Sequence, residues 1–272
     1  MNRYWLFLAL AILSPGQVTG PDIRIYKTVG TTRLTAHIFR PQSNGATARP
    51  AIVLFHGGGW VAGSPEWVYD AAKRYVVYGA VAVAAEYRLS DQKTITPLDA
   101  MEDARDIMLW LRRNAAELGI QPDHIAAHGV SAGGQLAASL STPASMPNAL
   151  VLISPAVAVT HDGWFQKILL GRASSADLSP NEHVTGAFPP AAIFLGDSDI
   201  LTPSKATIRF CDLVNERGGH CEIHVYPGVG HLFTRKLDNQ EDNFDPDPKF
   251  VLDAREKGDQ FLAARGFLKI DK

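Results

Sequence analysis

"IAAHGVSAGGQLAAS", residues 125–139, sets one serine among glycines and alanines, between a short apolar run and a helical pattern. At the carboxyl edge of a parallel sheet, a strand that turns sharply into a helix lifts one side chain into the crevice where such folds bind ligands. Gly129, Ser131 and Gly133 fit G-x-S-x-G, in which flanking side chains must be nearly absent for strand and helix to close up. The pattern predicts Ser131 on a strained turn, its oxygen exposed at a helix N-terminus.

The sequence on either side supplies the sheet this turn requires. Apolar runs "AIVLFH" at 51, "AVAVAAEY" at 80, "HIAAHG" at 124, "ALVLIS" at 149, "AAIFLG" at 191 and "CEIHVY" at 221 read as buried parallel strands. Helical patterns lie between and after them, at residues 67–78, 100–118, 133–141, 204–217 and 251–265. A βαβ series of this kind predicts a three-layer α/β fold with a mostly parallel central sheet. "IRIYKTVG" and "RLTAHIFRP" before it read as an antiparallel pair leading into the sheet. Residues 156–190 and the acidic "DNQEDNFDPDP" at 238–248 interrupt the alternation, and loops of that length often wall a site.

The chain has 272 residues, 46% of them hydrophobic, enough for one large core, and residues 21–272 are expected to form a single catalytic domain. With 26 basic and 28 acidic residues and no block of either, nothing favours nucleic acid, whose binding rests on clustered Lys and Arg. Residues 1–20 carry an early Arg3, an apolar run from Tyr4 to Leu13 and then small residues, which is signal-peptide architecture. The run is shorter than the roughly 20 residues that span a bilayer, so export to the periplasm or the extracellular space is expected, with no stable membrane anchor after cleavage. In an oxidising compartment Cys211 and Cys221 are expected to form a disulfide.

A serine hydroxyl needs a base, and the base an orienting carboxylate, in the chain order Ser, acid, His for this fold. His231 follows the last predicted strand in "YPGVGHLF" and is the expected base. "AAIFLGDSDILTP" offers Asp197 and Asp199 after an earlier strand; Asp199 is the expected acid, and Asp197 a turn or capping residue. "LFHGGGW" ends the first long strand with three glycines, where N–H groups can approach a ligand unobstructed. Gly57, Gly58 and Ala132 are the expected donors to a tetrahedral oxyanion, with His56 shaping the loop rather than acting as a second base.

Taken together, "HGGGW" (56–60), "EYRL" (86–89), "EDARDIMLWLRRNAAELGI" (102–120), "GVSAGG" (129–134), "LSP" (178–180), "FPPAAIFLGDSDILTP" (188–203) and "YPGVGHLF" (226–233) resemble the α/β-hydrolase esterases related to hormone-sensitive lipase. The nearest likeness is to their short secreted branch, which includes acetyl xylan and feruloyl-type esterases. The resemblance implies Ser131 as nucleophile, Asp199 as acid, His231 as base and the oxyanion hole named above, with no metal and no organic cofactor. It implies a serine carboxylesterase acting on short-chain esters, acylated carbohydrate among them. Val130 and "SDQ" at 90–92 depart from the longer relatives, and the family's long N-terminal cap has no counterpart, so little or no cap and an open pocket are expected. Gly59, Trp60, Trp164 and Leu232 are the expected pocket residues, Leu232 standing where the family usually has Gly. Asp103 is either an organising group near the site or an exposed helical carboxylate, and Tyr87 and Arg88 are expected to brace the fold. An amidase, peptidase or arylformamidase could use the same triad, and a non-catalytic binding module could use the same fold.

Overall fold

Alternate residues of the strand Arg49–Phe55 bury against opposite layers: Val53 and Phe55 join one hydrophobic cluster, Ile52 and Leu54 the other. A strand covered on both faces reads as an unbroken apolar run, which is why the parallel strands were visible in the sequence. The computed structural model describes residues 20–42, 47–242 and 244–270. The expected signal peptide falls on residues 1–20 and so lies, apart from Gly20, outside the described residues.

In chain order the elements are β1 (Asp22–Val29), β2 (Thr32–Phe39), β3 (Arg49–Phe55), α1 (Tyr69–Val77), β4 (Val81–Ala85), α2 (Pro97–Arg113), α3 (Ala115–Leu118) and β5 (Ile120–Val130). After these come α4 (Ala132–Ala138), β6 (Leu150–Ile153), α5 (Gly163–Ile168), β7 (Ala191–Gly196), α6 (Ser204–Glu216), β8 (Cys221–Tyr226) and α7 (Pro248–Ala263). The eight strands lie in the order β1-β2-β4-β3-β5-β6-β7-β8. β1 and β2 form an antiparallel hairpin and β2 pairs antiparallel with β4; every pairing beyond is parallel. This is a three-layer α/β architecture with a mostly parallel sheet, as the βαβ reading expected.

The predicted helix at 100–118 is two helices. It starts earlier, because Thr96 and Asp99 form a capping box with Pro97 in the first turn. It breaks at Asn114, whose amide donates to the Trp110 carbonyl at 2.8 Å and so competes with the backbone ladder. Residues 156–190 pack down rather than standing off as a layer of their own: Phe165, Ile168, Leu178 and Val184 join the core cluster of the α2 and α4 face. Cys211 of α6 and Cys221 of β8 are disulfide-bonded, with Cα atoms 5.4 Å apart. No helix among the described residues is long and apolar enough to cross a membrane.

Candidate active site

Ser131 stands between β5 and α4 with φ 52° and ψ −117°, a region that costs a non-glycine residue about 1 to 3 kcal/mol. The turn is held on both sides. Ser131 N–H donates to the Ile153 carbonyl at 2.9 Å, and the Ser131 carbonyl accepts from Gly134 at 2.9 Å and Ala156 at 3.1 Å. A Cβ at Gly133 would run into the carbonyl oxygens of Phe55 and His56, and one at Gly129 into the Gly133 carbonyl. The small residues around the hydroxyl are therefore what lets α4 descend onto β3 and β5.

From there a relay runs through three loops. Ser131 Oγ lies 3.0 Å from His231 Nε2, and His231 Nδ1 lies 2.8 Å from Asp199 Oδ2. Both partners are buried, His231 at 3% exposure and Asp199 at 4%, so the pair is shielded from bulk water. Asp199 sits in an Asx-type turn after β7: its Oδ1 accepts from Leu201 N at 3.0 Å and Thr202 N at 2.8 Å. Its Oδ2 accepts from the Thr202 hydroxyl at 2.8 Å as well as from the imidazole. A carboxylate with both oxygens engaged in this way orients His231 with Nδ1–H toward the acid and leaves Nε2 bare toward Ser131. Asp197 is exposed, and its Oδ1 accepts from Gly228 N at 2.9 Å, the turn role expected of it.

The glycine loop lies against the serine. A Cβ on Gly57 would come 3.3 Å from Ser131 Cβ, and Gly58 and Gly59 take φ of 113° and 57°. Ala132 opens α4, so its N–H has no partner within the helix. His56 is buried with Nδ1–H donating to the Gly57 carbonyl at 2.6 Å and its ring stacked on Tyr87 at 4.3 Å. Burial pushes its pKa down to about 4, so it is a neutral brace. Tyr87 hydroxyl donates to the His56 carbonyl at 2.8 Å, and Ser90 N–H to the Trp60 carbonyl at 2.7 Å. Behind them Arg88 is clamped by Asp103, with Nε on Oδ2 and Nη2 on Oδ1, each at 2.8 Å. Asp103 is fully buried and also meets Lys27 at 2.7 Å, so it organises the support of the glycine loop and is not a solvated helical carboxylate.

Of the expected pocket residues, Trp164 packs on Gly59 of the glycine loop and Leu232 follows the base, whereas Trp60 turns into the core. Trp164 is 39% exposed and its Nε1–H donates to the Gly59 carbonyl at 3.2 Å. Leu232, partly buried, follows His231 with φ 52° and donates its N–H to Ser154 Oγ at 3.1 Å. Trp60 is a correction: at 3% exposure it is a core residue, edge-on to Phe165 with ring centres 4.7 Å apart and Nε1–H on Gln135 Oε1 at 3.2 Å. Its own φ of 64°, following the positive values of Gly58 and Gly59, turns the chain back toward α4.

Four functional neighbours escaped the sequence reading. Thr202 binds Asp199 and also donates within reach of the Ser154 carbonyl at 3.1 Å; the spacing "DILT" after a strand carries an Asx-turn signal that could have found it. Ser154, at φ 42°, holds Leu232. Gln240 and Phe244 come from the acidic loop, Gln240 against the backbone of His231 and Phe244 with its ring centre 6.4 Å from the imidazole. Composition of that loop gives no hint of either.

A parallel sheet that raises a serine on a strand-to-helix turn, with histidine and aspartate on later loops, is the architecture of nucleophile-bearing α/β enzymes. The chain belongs to the alpha/beta hydrolase fold family, whose profile matches residues 52–235. It is 29% identical over 241 residues to an AB hydrolase superfamily protein of Schizosaccharomyces pombe, covering 75% of this chain and 69% of that one. An ethyl acetate hydrolase of Pseudomonas putida is 27% identical over 239 residues, covering 74% of this chain and 72% of the relative. Esterase 2 of Thermogutta terrifontis, phosphoramylated by tabun, superposes with a TM-score of 0.82 at 31% identity over 96% of this chain and 100% of its own. The same esterase with butyrate bound gives 0.82 at 29% identity over 94% and 98%.

Proposed function

We propose that this chain is a serine carboxylesterase that hydrolyses short-chain acyl esters through an acyl-enzyme. The observation that carries the reading is the buried relay, 3.0 Å from Ser131 to His231 and 2.8 Å from His231 to Asp199. His231 Nε2 takes the proton of Ser131 as Oγ attacks the ester carbonyl, and Asp199 steadies the imidazolium. The N–H groups of Gly57, Gly58 and Ala132 bind the tetrahedral oxyanion; losing one such donor costs about 3 to 4 kcal/mol of barrier. His231 then protonates the departing alkoxide and activates water for deacylation. The similar esterase that binds butyrate and the similar ethyl acetate hydrolase support esters, and short acyl groups, over amides.

An acylated carbohydrate is the substrate class we favour within that reading, because Trp164 offers an exposed aromatic face beside the glycine loop. Export belongs to the same proposal and is supported by the Cys211–Cys221 bridge. Hydrolysis of p-nitrophenyl acetate to octanoate by wild type, Ser131→Ala and His231→Ala tests the esterase, with activity expected for short chains in wild type only. Comparable activity in Ser131→Ala removes the reading. Equal or poorer efficiency on acetylated xylan fragments than on aryl acetates removes the carbohydrate preference.

A further inference from the structure

The acidic loop that follows His231 is built as a strap. Its neck is closed by the bridge between Thr234 and Pro246 and by Arg235, which binds Asp245 through both backbone and side chain. From this largely exposed, charged loop Gln240 turns its neutral side chain inward, to 2% exposure. Its Oε1 accepts from His231 N–H at 2.9 Å and from Ile200 N–H at 3.2 Å, and its Nε2–H donates to the Ser198 carbonyl at 2.9 Å. Ser198 and Ile200 flank Asp199. One amide therefore bonds to the backbone on both sides of the acid and to the backbone of the base. The seat is shaped for it, since a Cβ on Gly230 would lie within 2.6 Å of the amide atoms.

We propose that Gln240 is a positioning residue for the reaction: it touches neither Ser131 nor substrate, and it sets the separation of the Asp199 and His231 loops on which proton transfer depends. This rests on the esterase reading above. Apart from the contacts of Asp199 and Thr202 with His231 Nδ1 itself, the two loops are tied through backbone at Ser198 N–H to the Val229 carbonyl, 3.1 Å, Asp197 N–H to the Tyr226 carbonyl, 2.9 Å, and Gly228 N–H to Asp197, all farther along the chain from the reacting nitrogen. Oε1 is the one acceptor among the described side chains shared by the backbone of the base and the residue after the acid. With a methionine there the volume is kept and the three bonds are lost, leaving the buried His231 N–H without its acceptor and the part-buried Ile200 N–H without its partner. A displacement of the order of 1 Å between catalytic groups can cost about a hundredfold in rate.

The test compares wild type, Ser131→Ala, Gln240→Met and Gln240→Asn on p-nitrophenyl butyrate, with rates normalised to sites titrated by a phosphonate probe. Asparagine keeps the amide one methylene short of both loops, so it reads the proposal if the methionine variant does not fold. The expected result is kcat per titrated site at least tenfold below wild type, with KM within twofold. A merely structural role would lower the number of titrated sites and leave kcat per site unchanged, and that result overturns the proposal. An inactive wild type, or an active Ser131→Ala, would instead remove the esterase reading on which it stands.

Discussion

Asp199→Asn separates orientation of the base from everything else the acid does. The Asp199 carboxylate accepts four bonds, from Leu201 N, Thr202 N, the Thr202 hydroxyl and His231 Nδ1. Asparagine must keep its oxygen on the two backbone N–H groups, because the opposite orientation would set two donors against its NH2. Its NH2 then faces Thr202 and the imidazole. The threonine adapts by turning its hydroxyl to the Ser154 carbonyl, 3.1 Å away, and accepting from the amide. His231 adapts by moving its proton to Nε2, where it blocks proton transfer from Ser131. The fold is then kept, with a stability change under about 1 kcal/mol since every buried group still has a partner. The chemistry is not: in Ser-His-Asp proteases the same exchange lowers kcat by about 10⁴, which is about 5.4 kcal/mol of barrier. Steady-state hydrolysis of p-nitrophenyl butyrate, with urea unfolding as the stability control and Asp197→Asn as the activity control, reads both parts. Asp199→Asn with kcat within tenfold of wild type refutes the tautomer argument, and a large loss in Asp197→Asn refutes the choice of acid.

Three further outcomes follow from other parts of the molecule. Gly230→Ala sets a Cβ within 2.6 Å of the Gln240 amide atoms, so it should displace that amide and lower kcat as Gln240→Met does; in a Gln240→Ala background the same change should lower kcat by less than it does alone. Replacing both Cys211 and Cys221 by serine, or reducing the bond, should cost about 3 kcal/mol in urea unfolding for a loop closed across a sequence separation of 10. His56 and His128 are buried and neutral, with pKa values lowered by burial from 6.5 to about 4 and about 3. The unfolded chain binds more protons than the folded one between those values and 6.5, so stability falls as pH drops through that window, by about 3 kcal/mol for each histidine at pH 4. Unfolding of His128→Gln should lack about one histidine's share of that loss, and an unchanged pH dependence would contradict its neutral state.

Strands, serine turn and chain order of the candidate triad were legible because each is imposed by local steric or periodic rules. Gly129, Ser131 and Gly133 occur where backbone must pass backbone, and the parallel strands are apolar on both faces because helices cover both. Trp60 was misread because its direction depends on three successive positive φ values in the glycine loop, which a residue's type does not announce. Asp103 was ambiguous for a related reason: a carboxylate on a helix is buried or solvated according to what lies across from it, here Arg88 and Lys27. Gln240 was invisible because the loop around it is mostly polar and has no periodicity to mark a buried position, and the tertiary closure at Thr234 and Pro246 turns its side chain inward.

The central claim is that Ser131 is the nucleophile, and covalent trapping tests it most directly. Wild type mixed with p-nitrophenyl acetate should release a burst of one p-nitrophenol per protein when deacylation limits turnover, and a fluorophosphonate should attach to the peptide that contains Ser131. Ser131→Ala should show neither. A label that maps to another residue, or a Ser131→Ala protein that keeps the wild-type hydrolysis rate, would contradict the account.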